Sequence, residues 1–160
     1  MPKIDLDAIP QSNATGYPPP FDAPMKGRWY RRLGPPSGLT AIGASHVVLK
    51  PGAWSSQRHW HLGEDELLVM IAGEAVLVED ASETDGGRTT LRPGDVCAWP
   101  ADAENGHHLI NETDTDCVFV AISAGPDNGG SYPDIDMCWT ADQVYRHMDG
   151  TAYPEAQRPA

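Results

Sequence analysis

The stretch GAWSSQRHWHLGEDELLVMIAG, residues 52–73, decides the fold. His59 and His61 are two positions apart, and side chains on a β-strand alternate between its two faces, so both imidazoles point to the same side. Glu66 follows a polar break and begins an apolar run that ends at Gly73, which indicates a strand, a short turn and a second strand. A turn of that length brings the Glu66 carboxylate beside the two imidazoles. Two nitrogens and one oxygen suit a divalent Fe, Mn, Ni or Zn ion.

This stretch resembles the first motif of the cupin superfamily. That motif has a Gly, a His-x-His, a Glu after three or four residues, and a Gly after six more. His61, Glu66 and Gly73 match this spacing, with four residues in the first gap and six in the second. The gap from Gly52 to His59 has six residues instead of the usual five.

A second stretch, GDVCAWPADAENGHHLIN, resembles the second cupin motif. Gly94, Pro100, His107 and Asn111 follow its order of Gly, Pro, His and, after three residues, Asn. Because the gap from Pro100 to His107 is longer than usual, His108 is an alternative metal ligand, although the spacing to Asn111 favours His107. The resemblance implies one divalent ion held by a ligand set made of His59, His61, Glu66 and His107.

The composition limits the organisation and the partners of the chain. With 160 residues and 40% hydrophobic content, one domain with its own core is expected. The formal net charge of −12 would repel nucleic acids and anionic membranes, so neither is an expected partner. A highly anionic substrate is also disfavoured, unless an Arg or Lys cluster lies at the pocket. The sequence has no apolar run long enough to span a bilayer and no signal peptide pattern, which predicts a cytoplasmic protein.

Three segments are predicted. Residues 1–38 form an extended Pro-rich arm, since eight of the fifteen prolines fall there and exclude regular helix or central strand over most of its length. Residues 39–124 form the core, and residues 125–160 form a turn-rich segment that packs on it, with a short helix or turn near 140–150. The arm carries one basic cluster, expected to be exposed and to pair with acidic groups of the core: Arg28, Arg31 and Arg32.

Short apolar runs separated by Pro and Gly turns predict an all-β fold. Strands are expected at 39–43, 45–50, 54–61, 66–72, 74–80, 88–92, 95–99, 106–111 and 116–123. The cupin resemblance implies that they form a double-stranded β-helix, the jelly-roll barrel. In ELLVMIAG and DCVFVAIS the apolar residues do not alternate with polar ones, so these strands are expected to be covered on both faces. The arm or a second subunit could cover the outer face, and a homodimer is expected.

The pocket and the reaction are less defined by the sequence. Alternation places Gln57 on the inward face with the two histidines of the first motif, and Met70 on the face of Glu66. Trp99 is expected to join them in the substrate pocket, whereas Glu64 and Asp65 are expected to be solvated turn residues. The sequence identifies no catalytic acid or base.

The whole chain is similar to small single-domain bacterial cupins labelled sugar-phosphate isomerases, through its Pro-rich arm and the segments HWH, NGHHLIN and YPDID. This likeness implies a metal-dependent enzyme acting on a small sugar, polyol or oxo-acid. An iron-dependent dioxygenase, a metal-dependent lyase or decarboxylase, and a non-catalytic small-ligand-binding cupin stay open, because one fold hosts many functions. A phosphate would call for cations at the pocket. Three basic residues are candidates, although surface roles explain them equally well: Lys50, Arg58 and Arg92.

Overall fold

The protein is built from short strands, as seen in a computed structural model that describes residues 3–81 and 86–157, the last three by their backbone only. The strands of these residues are β1 (Arg28–Arg32), β2 (Ile42–Leu49), β3 (Trp60–His61), β4 (Asp65–Ala72), β5 (Ala75–Val78), β6 (Arg88–Leu91), β7 (Val96–Trp99), β8 (His108–Ile110), β9 (Cys117–Ala124), β10 (Gly129–Tyr132), β11 (Met137–Thr140), β12 (Val144–Arg146) and β13 (Ala152–Gln157). The same residues include three 3-10 helices, at Leu6–Ala8, Ala23–Met25 and Pro35–Ser37. None of the helices in the described part of the chain has the length and apolarity that a bilayer crossing would need. The predicted all-β class is confirmed.

The first sheet has five strands in the order β1, β2, β9, β4, β7, and all its neighbours are antiparallel. Its register aligns Glu66 with Trp99 on β7 and with Ser123 on β9. Directly opposed residues of antiparallel strands project to the same face. Glu66 and Trp99 therefore point together into the interior.

A second, three-stranded sheet in the order β6, β5, β8 packs against the inner face of the first. The two sheets share one buried core, with these members: Val47, Leu49, Ala53, Leu68, Met70, Ala75, Leu77, Leu91, Trp99, Leu109, Cys117 and Phe119. On β4, Leu68 and Met70 are buried while Leu67 and Val69 are only partly covered, which is the period-2 pattern of a strand lying over a core.

Gly73 makes the tight turn between β4 and β5 possible. Its φ of +69° lies in the left-handed region, which residues other than glycine rarely adopt. A Cβ at this position would also collide with the backbone carbonyl of Asp116. The glycine that ends the first motif is therefore required by the backbone rather than by the chemistry of the site.

The arm packs on its own chain. β1 pairs along β2 from Arg28 opposite Leu49 to Arg32 opposite Ser45, and Ser12 bridges to Tyr30 on the other side of β1. The sequence RWYRR contains no proline, so this part of the arm can donate and accept a full set of strand hydrogen bonds.

The C-terminal segment differs from the expected turns or short helix. Its four strands join β3 in a third sheet, in the order β13, β12, β11, β10, β3. The reason is a second apolar cluster, in which Trp139 and Tyr145 pack against Tyr17 and Met25 of the arm. Gln143 has a φ of +63° and completes the turn between β11 and β12. The boundaries proposed at residues 38 and 124 stay a prediction.

The predicted strand at 54–61 is largely irregular. Only Trp60 and His61 belong to a strand, while Trp54 and His59 make isolated bridges to Ile110 and His107. Alternation of side chains therefore cannot be assumed between residues 54 and 59.

Candidate metal centre

Four side chains from three parts of the chain converge inside the fold. His59 and His107 are opposed in an antiparallel bridge, with hydrogen bonds between their backbones of 3.2 and 2.9 Å. His61 lies in β3, and Glu66 is the second residue of β4. The possible ligand atoms of these four residues all lie within 4.8 Å of one another. The structure thus brings together every member of the predicted ligand set.

The contacts within this cluster are short. His61 Nε2 lies 3.0 Å from His59 Nε2 and 3.4 Å from Glu66 Oε2. His107 Nε2 lies 2.9 Å from the same carboxylate oxygen. Three imidazole nitrogens and one carboxylate oxygen therefore face a common point, a donor set that suits a transition metal ion or zinc.

The outer nitrogens of two histidines meet hydrogen-bond acceptors. The backbone oxygen of Gln57 lies 2.9 Å from His59 Nδ1, and that of Asn105 lies 3.1 Å from His107 Nδ1. A carbonyl only accepts, so each contact favours a proton on Nδ1 and leaves a lone pair on Nε2. The Nε2 of His107 then faces the Glu66 carboxylate with no proton between them. A cation at the centre satisfies both groups, and the residues present fit a divalent metal ion.

The protonation states of His59 and Glu66 agree with this fit. Burial lowers the pKa of His59 well below its usual value, so its imidazole is neutral. Burial alone would raise the pKa of Glu66, but the adjacent imidazoles of His107 and His61 outweigh burial and hold that pKa well below the ordinary range. A neutral imidazole and an ionised carboxylate are the states that metal ligands need.

Glu64 lies beside the cluster, contrary to the expectation of a solvated turn residue. Its side chain is 14% exposed, and Oε2 lies 3.1 Å from His61 Nδ1. The contact is electrostatic, since Nδ1 has no well-aligned hydrogen-bond acceptor among the described residues. Burial would lower the pKa of His61, but the carboxylates of Glu64 and Glu66 outweigh burial and raise it to about 9. Asp65 is exposed and accepts a hydrogen bond from the backbone of Ala101, as a turn residue would.

His108 also lies in the interior, but it is not in the four-residue cluster. Its Nδ1 lies 2.9 Å from the backbone oxygen of Ser56, and its ring contacts Trp54 edge to face. Burial lowers its pKa, so the imidazole is neutral. Of the two adjacent histidines, the structure places His107 at the cluster.

The cluster opens into a cavity of about 490 Å³, a size that suits a small metabolite. Trp99 lies in its wall, stacked on His107 with ring centroids 3.9 Å apart and an interplanar angle of 8°. The indole Nε1 donates a hydrogen bond to Glu79 at 2.8 Å, which fixes the ring.

The other two expected pocket residues lie outside the cavity wall. Gln57 precedes the regular part of the strand, and its amide donates to the backbone oxygen of Phe21 at 2.8 Å instead of facing the cavity. Met70 does point inward, but it lies two residues beyond Leu68 along β4, in the packed core. Leu68 forms the wall in its place.

Two arginines of the arm line the cavity, which the sequence analysis missed. Arg28, Tyr30 and Arg32 alternate along β1 and face inward together, with both guanidinium groups near the Tyr30 ring, at 5.2 and 5.9 Å from its centroid. Arg31 lies on the opposite face, where its Nε donates to the backbone of Ile9. The alternation in RWYRR predicts that Arg28 and Arg32 share one face of a strand, but only the pairing of β1 with β2 places that face at the cavity.

The three basic residues considered for phosphate binding have other partners. Lys50 pairs with Asp116, and Arg92 pairs with Glu74. Arg58 pairs with Asp134 and Asp80. All three lie outside the cavity wall.

Comparison with protein families gives a match to the cupin domain over residues 45–123. Among solved structures, a sugar phosphate isomerase of the cupin superfamily from Silicibacter pomeroyi DSS-3 is 36% identical, with a TM-score of 0.87 over 99% of this chain and 100% of that chain. The chain therefore belongs to the cupin superfamily.

Two further structures are similar in fold. A provisionally named sugar phosphate isomerase from Acidithiobacillus ferrooxidans is 24% identical, with a TM-score of 0.64 over 80% of this chain and 76% of that chain. A Cupin 2 conserved barrel domain protein from Salinispora arenicola is 30% identical, with a TM-score of 0.50 over 61% of this chain and 75% of that chain. Comparison with curated protein sequences gives no significant match.

Proposed function

We propose that this protein is a metal-dependent enzyme that acts on a small sugar, polyol or oxo-acid, with sugar-phosphate isomerisation as its reaction class. The observation that carries the proposal is the convergence of three imidazoles and one carboxylate at the wall of a cavity of about 490 Å³. The name of the 36% identical relative, a sugar phosphate isomerase, supports the reaction class.

The ligand set suits this chemistry. His59, His61, His107 and Glu66 would hold one divalent ion, Fe, Mn, Ni or Zn, and a single carboxylate leaves the centre with net positive charge. When bound, such an ion polarises a carbonyl oxygen and acidifies an adjacent hydroxyl, the two groups that an aldose and a ketose exchange.

Apolar walls shield the space in front of the ligands. Leu68 and Phe119 are buried and line the cavity together with the indole of Trp99. Such walls reduce the water around the reacting carbons and strengthen electrostatic interactions at the site.

Isomerisation moves a proton between adjacent carbons and therefore needs a base. Three carboxyl or imidazole groups outside the ligand set line the cavity: Glu64, Asp127 and His108. The Asp127 carboxylate accepts hydrogen bonds from Trp139 Nε1 at 3.0 Å and from the Gly129 backbone at 3.3 Å. Glu64 directly contacts a residue of the ligand set, His61, at 3.1 Å. We assign proton transfer to Glu64.

The test is an exchange experiment in deuterated solvent. The metal-loaded protein is incubated with a panel of aldose and ketose phosphates, and NMR follows interconversion and deuterium at the carbon next to the carbonyl. We expect both for one substrate of the panel. Substrate-dependent oxygen uptake by an iron-loaded protein would instead indicate a dioxygenase, and binding without turnover would indicate a non-catalytic cupin.

The assigned base has a matched control. Glu64→Gln keeps the side-chain volume, and we expect it to lower the exchange rate by about 100-fold or more with the metal retained. Glu74→Gln changes a surface carboxylate paired with Arg92 and is expected to leave the rate unchanged. Equal rates for Glu64→Gln and the wild type would remove Glu64 from the proposal.

A further inference from the structure

We propose that Arg28 and Arg32 bind the oxyanion end of the substrate, a phosphoryl or carboxylate group, so that the arm completes the active site. The inference rests on the proposed function for the identity of the substrate, and it adds a binding site on β1 for the end remote from the metal ligands. Both arginines line the same cavity as the four-residue cluster.

The guanidinium of Arg28 is held in place without being neutralised. Its Nη1 donates to the backbone oxygen of Ser55 at 2.9 Å and its Nη2 to that of Ala14 at 3.3 Å. These bonds use two of the five N–H groups of a guanidinium and orient the rest. No carboxylate among residues 3–81 and 86–154 lies within ion-pair distance of Arg28, whose positive charge therefore stays available to an anion.

The register of the first sheet sets the distance between the arginines, which would bind the oxyanion end of the substrate, and the metal ligands. Arg32 is aligned through Ser45 and Ala121 with Leu68, which is two residues from Glu66 on the same face of β4. Two strands separate β1 from β4, so their backbones are about 14 Å apart at the usual strand spacing. The cavity over the inner face of these strands spans this distance, which leaves room for a molecule of a few carbon atoms rather than for a single ion.

The charges of the cavity wall are also divided between these two ends. The carboxylates of Glu64 and Glu66 contact the histidine cluster, whereas the arm supplies the arginines. An arginine fork matches the oxygens of a phosphoryl or carboxylate group and can bind them bidentately. Two cations in the cavity wall offset the repulsion that a chain of net charge −12 would otherwise exert on an anionic substrate.

The test measures anion binding and needs no substrate. Inorganic phosphate and acetate are titrated into the full-length protein by calorimetry, in the wild type and in Glu66→Ala, which removes the contribution of the metal. We expect phosphate or acetate to bind both proteins, and the tighter of the two identifies the group as phosphoryl or carboxylate. Binding that disappears in Glu66→Ala would place the anion at the metal and overturn the inference.

Arginine variants locate the site. Arg28→Met and Arg32→Met are expected to weaken anion binding about 10- to 100-fold, the loss of one charge-assisted contact. Arg31→Met is the matched control, because Arg31 lies on the other face of β1 and changes the net charge equally. Equal weakening in Arg31→Met, or wild-type affinity in both cavity variants, would overturn the inference. Arg28→Lys keeps the charge and tests whether any loss in Arg28→Met comes from misfolding of the arm.

The inference and the proposed function can fail separately. Phosphate binding that depends on Arg28, without isomerisation of any substrate, would refute the function and leave the anion site. Isomerisation with an unchanged KM in both cavity variants would refute the anion site and leave the function.

Discussion

His107 Nε2 lies 2.9 Å from Glu66 Oε2, although 41 positions separate the two residues along the chain. Glu66 is fixed by the pairing of β4 with β7 and β9, and His107 by its backbone bridge to His59. The backbone hydrogen bonds of the sheets, rather than a mobile loop, therefore set the geometry of the centre. A site whose side chains are held by backbone pairing in this way is more rigid than a site built on unpaired loops.

The two adjacent histidines should respond differently to substitution. His107→Ala removes a ligand atom from the cluster, so we expect it to lose most of the bound metal. His108→Ala removes a side chain that contacts Ser56 and Trp54 and is expected to keep the metal. Elemental analysis of both purified variants, with circular dichroism to show that each is folded, measures the difference. Loss of metal in His108→Ala alone would show that His108, not His107, is the ligand.

Asn111 stabilises the core rather than the metal centre. Its fully buried amide donates to the backbone oxygens of Leu49 at 2.8 Å and Thr115 at 2.7 Å. Asn111→Ala removes both of these bonds and the oxygen that accepts from the Thr113 backbone at 3.0 Å, and should lower the free energy of unfolding by about 2 to 4 kcal/mol in urea titrations. Asn13→Ala removes one exposed, long hydrogen bond and should cost less than about 0.5 kcal/mol. Similar losses in both variants would contradict this role.

The ion pair between Arg58 and Asp134 should stabilise the fold only while Asp134 is ionised. Hydrogen bonds of 2.7 and 2.6 Å from the guanidinium lower the pKa of Asp134 below 3.8. This contribution is therefore present above about pH 3.8 and is lost as the pH falls through the pKa that Asp134 has in the folded protein.

Arg58→Met tests this pH dependence. We expect it to reduce the free energy of unfolding by about 1 kcal/mol at pH 7, since Asp134 is more than half exposed, with a difference from the wild type that shrinks in acid. Arg92→Met breaks one exposed pair and serves as the control. A difference that stays constant from pH 7 to pH 2.5 would show that packing, not the ion pair, accounts for the effect.

The expected homodimer stays a prediction, and the outer face of the first sheet is where it is most easily tested. Val96 is 58% exposed and lies opposite Val69, while Ile71 nearby is 51% exposed. A second copy would cover these side chains. Sedimentation velocity should show a dimer for the wild type and a monomer for Val96→Lys. A wild-type protein that is monomeric at all concentrations would refute the prediction. The cytoplasmic location likewise stays a prediction.

The sequence predicted which residues converge in the four-residue cluster better than it predicted those that line the cavity. The ligands follow from short spacings, because His59, His61 and Glu66 belong to one strand-turn-strand unit. Arg28 and Arg32 reach the cavity only through the pairing of β1 with β2, which joins residues 21 positions apart at Arg28 and 13 positions apart at Arg32, and local patterns do not encode such a contact.

Two further misses have local causes. Gln57 falls in an irregular segment, so the alternation assumed for a strand did not apply to it. The C-terminal strands are short, and their apolar residues pack on the arm rather than on the main core, so a turn-rich composition concealed them.

Elemental analysis of the untagged protein, purified without added metal, tests the central claim most directly. The convergence of His59, His61, Glu66 and His107 predicts close to one ion of Fe, Mn, Ni or Zn per chain, with the ion lost in Glu66→Ala. A wild-type protein that holds no such ion and takes none up on reconstitution would contradict the account.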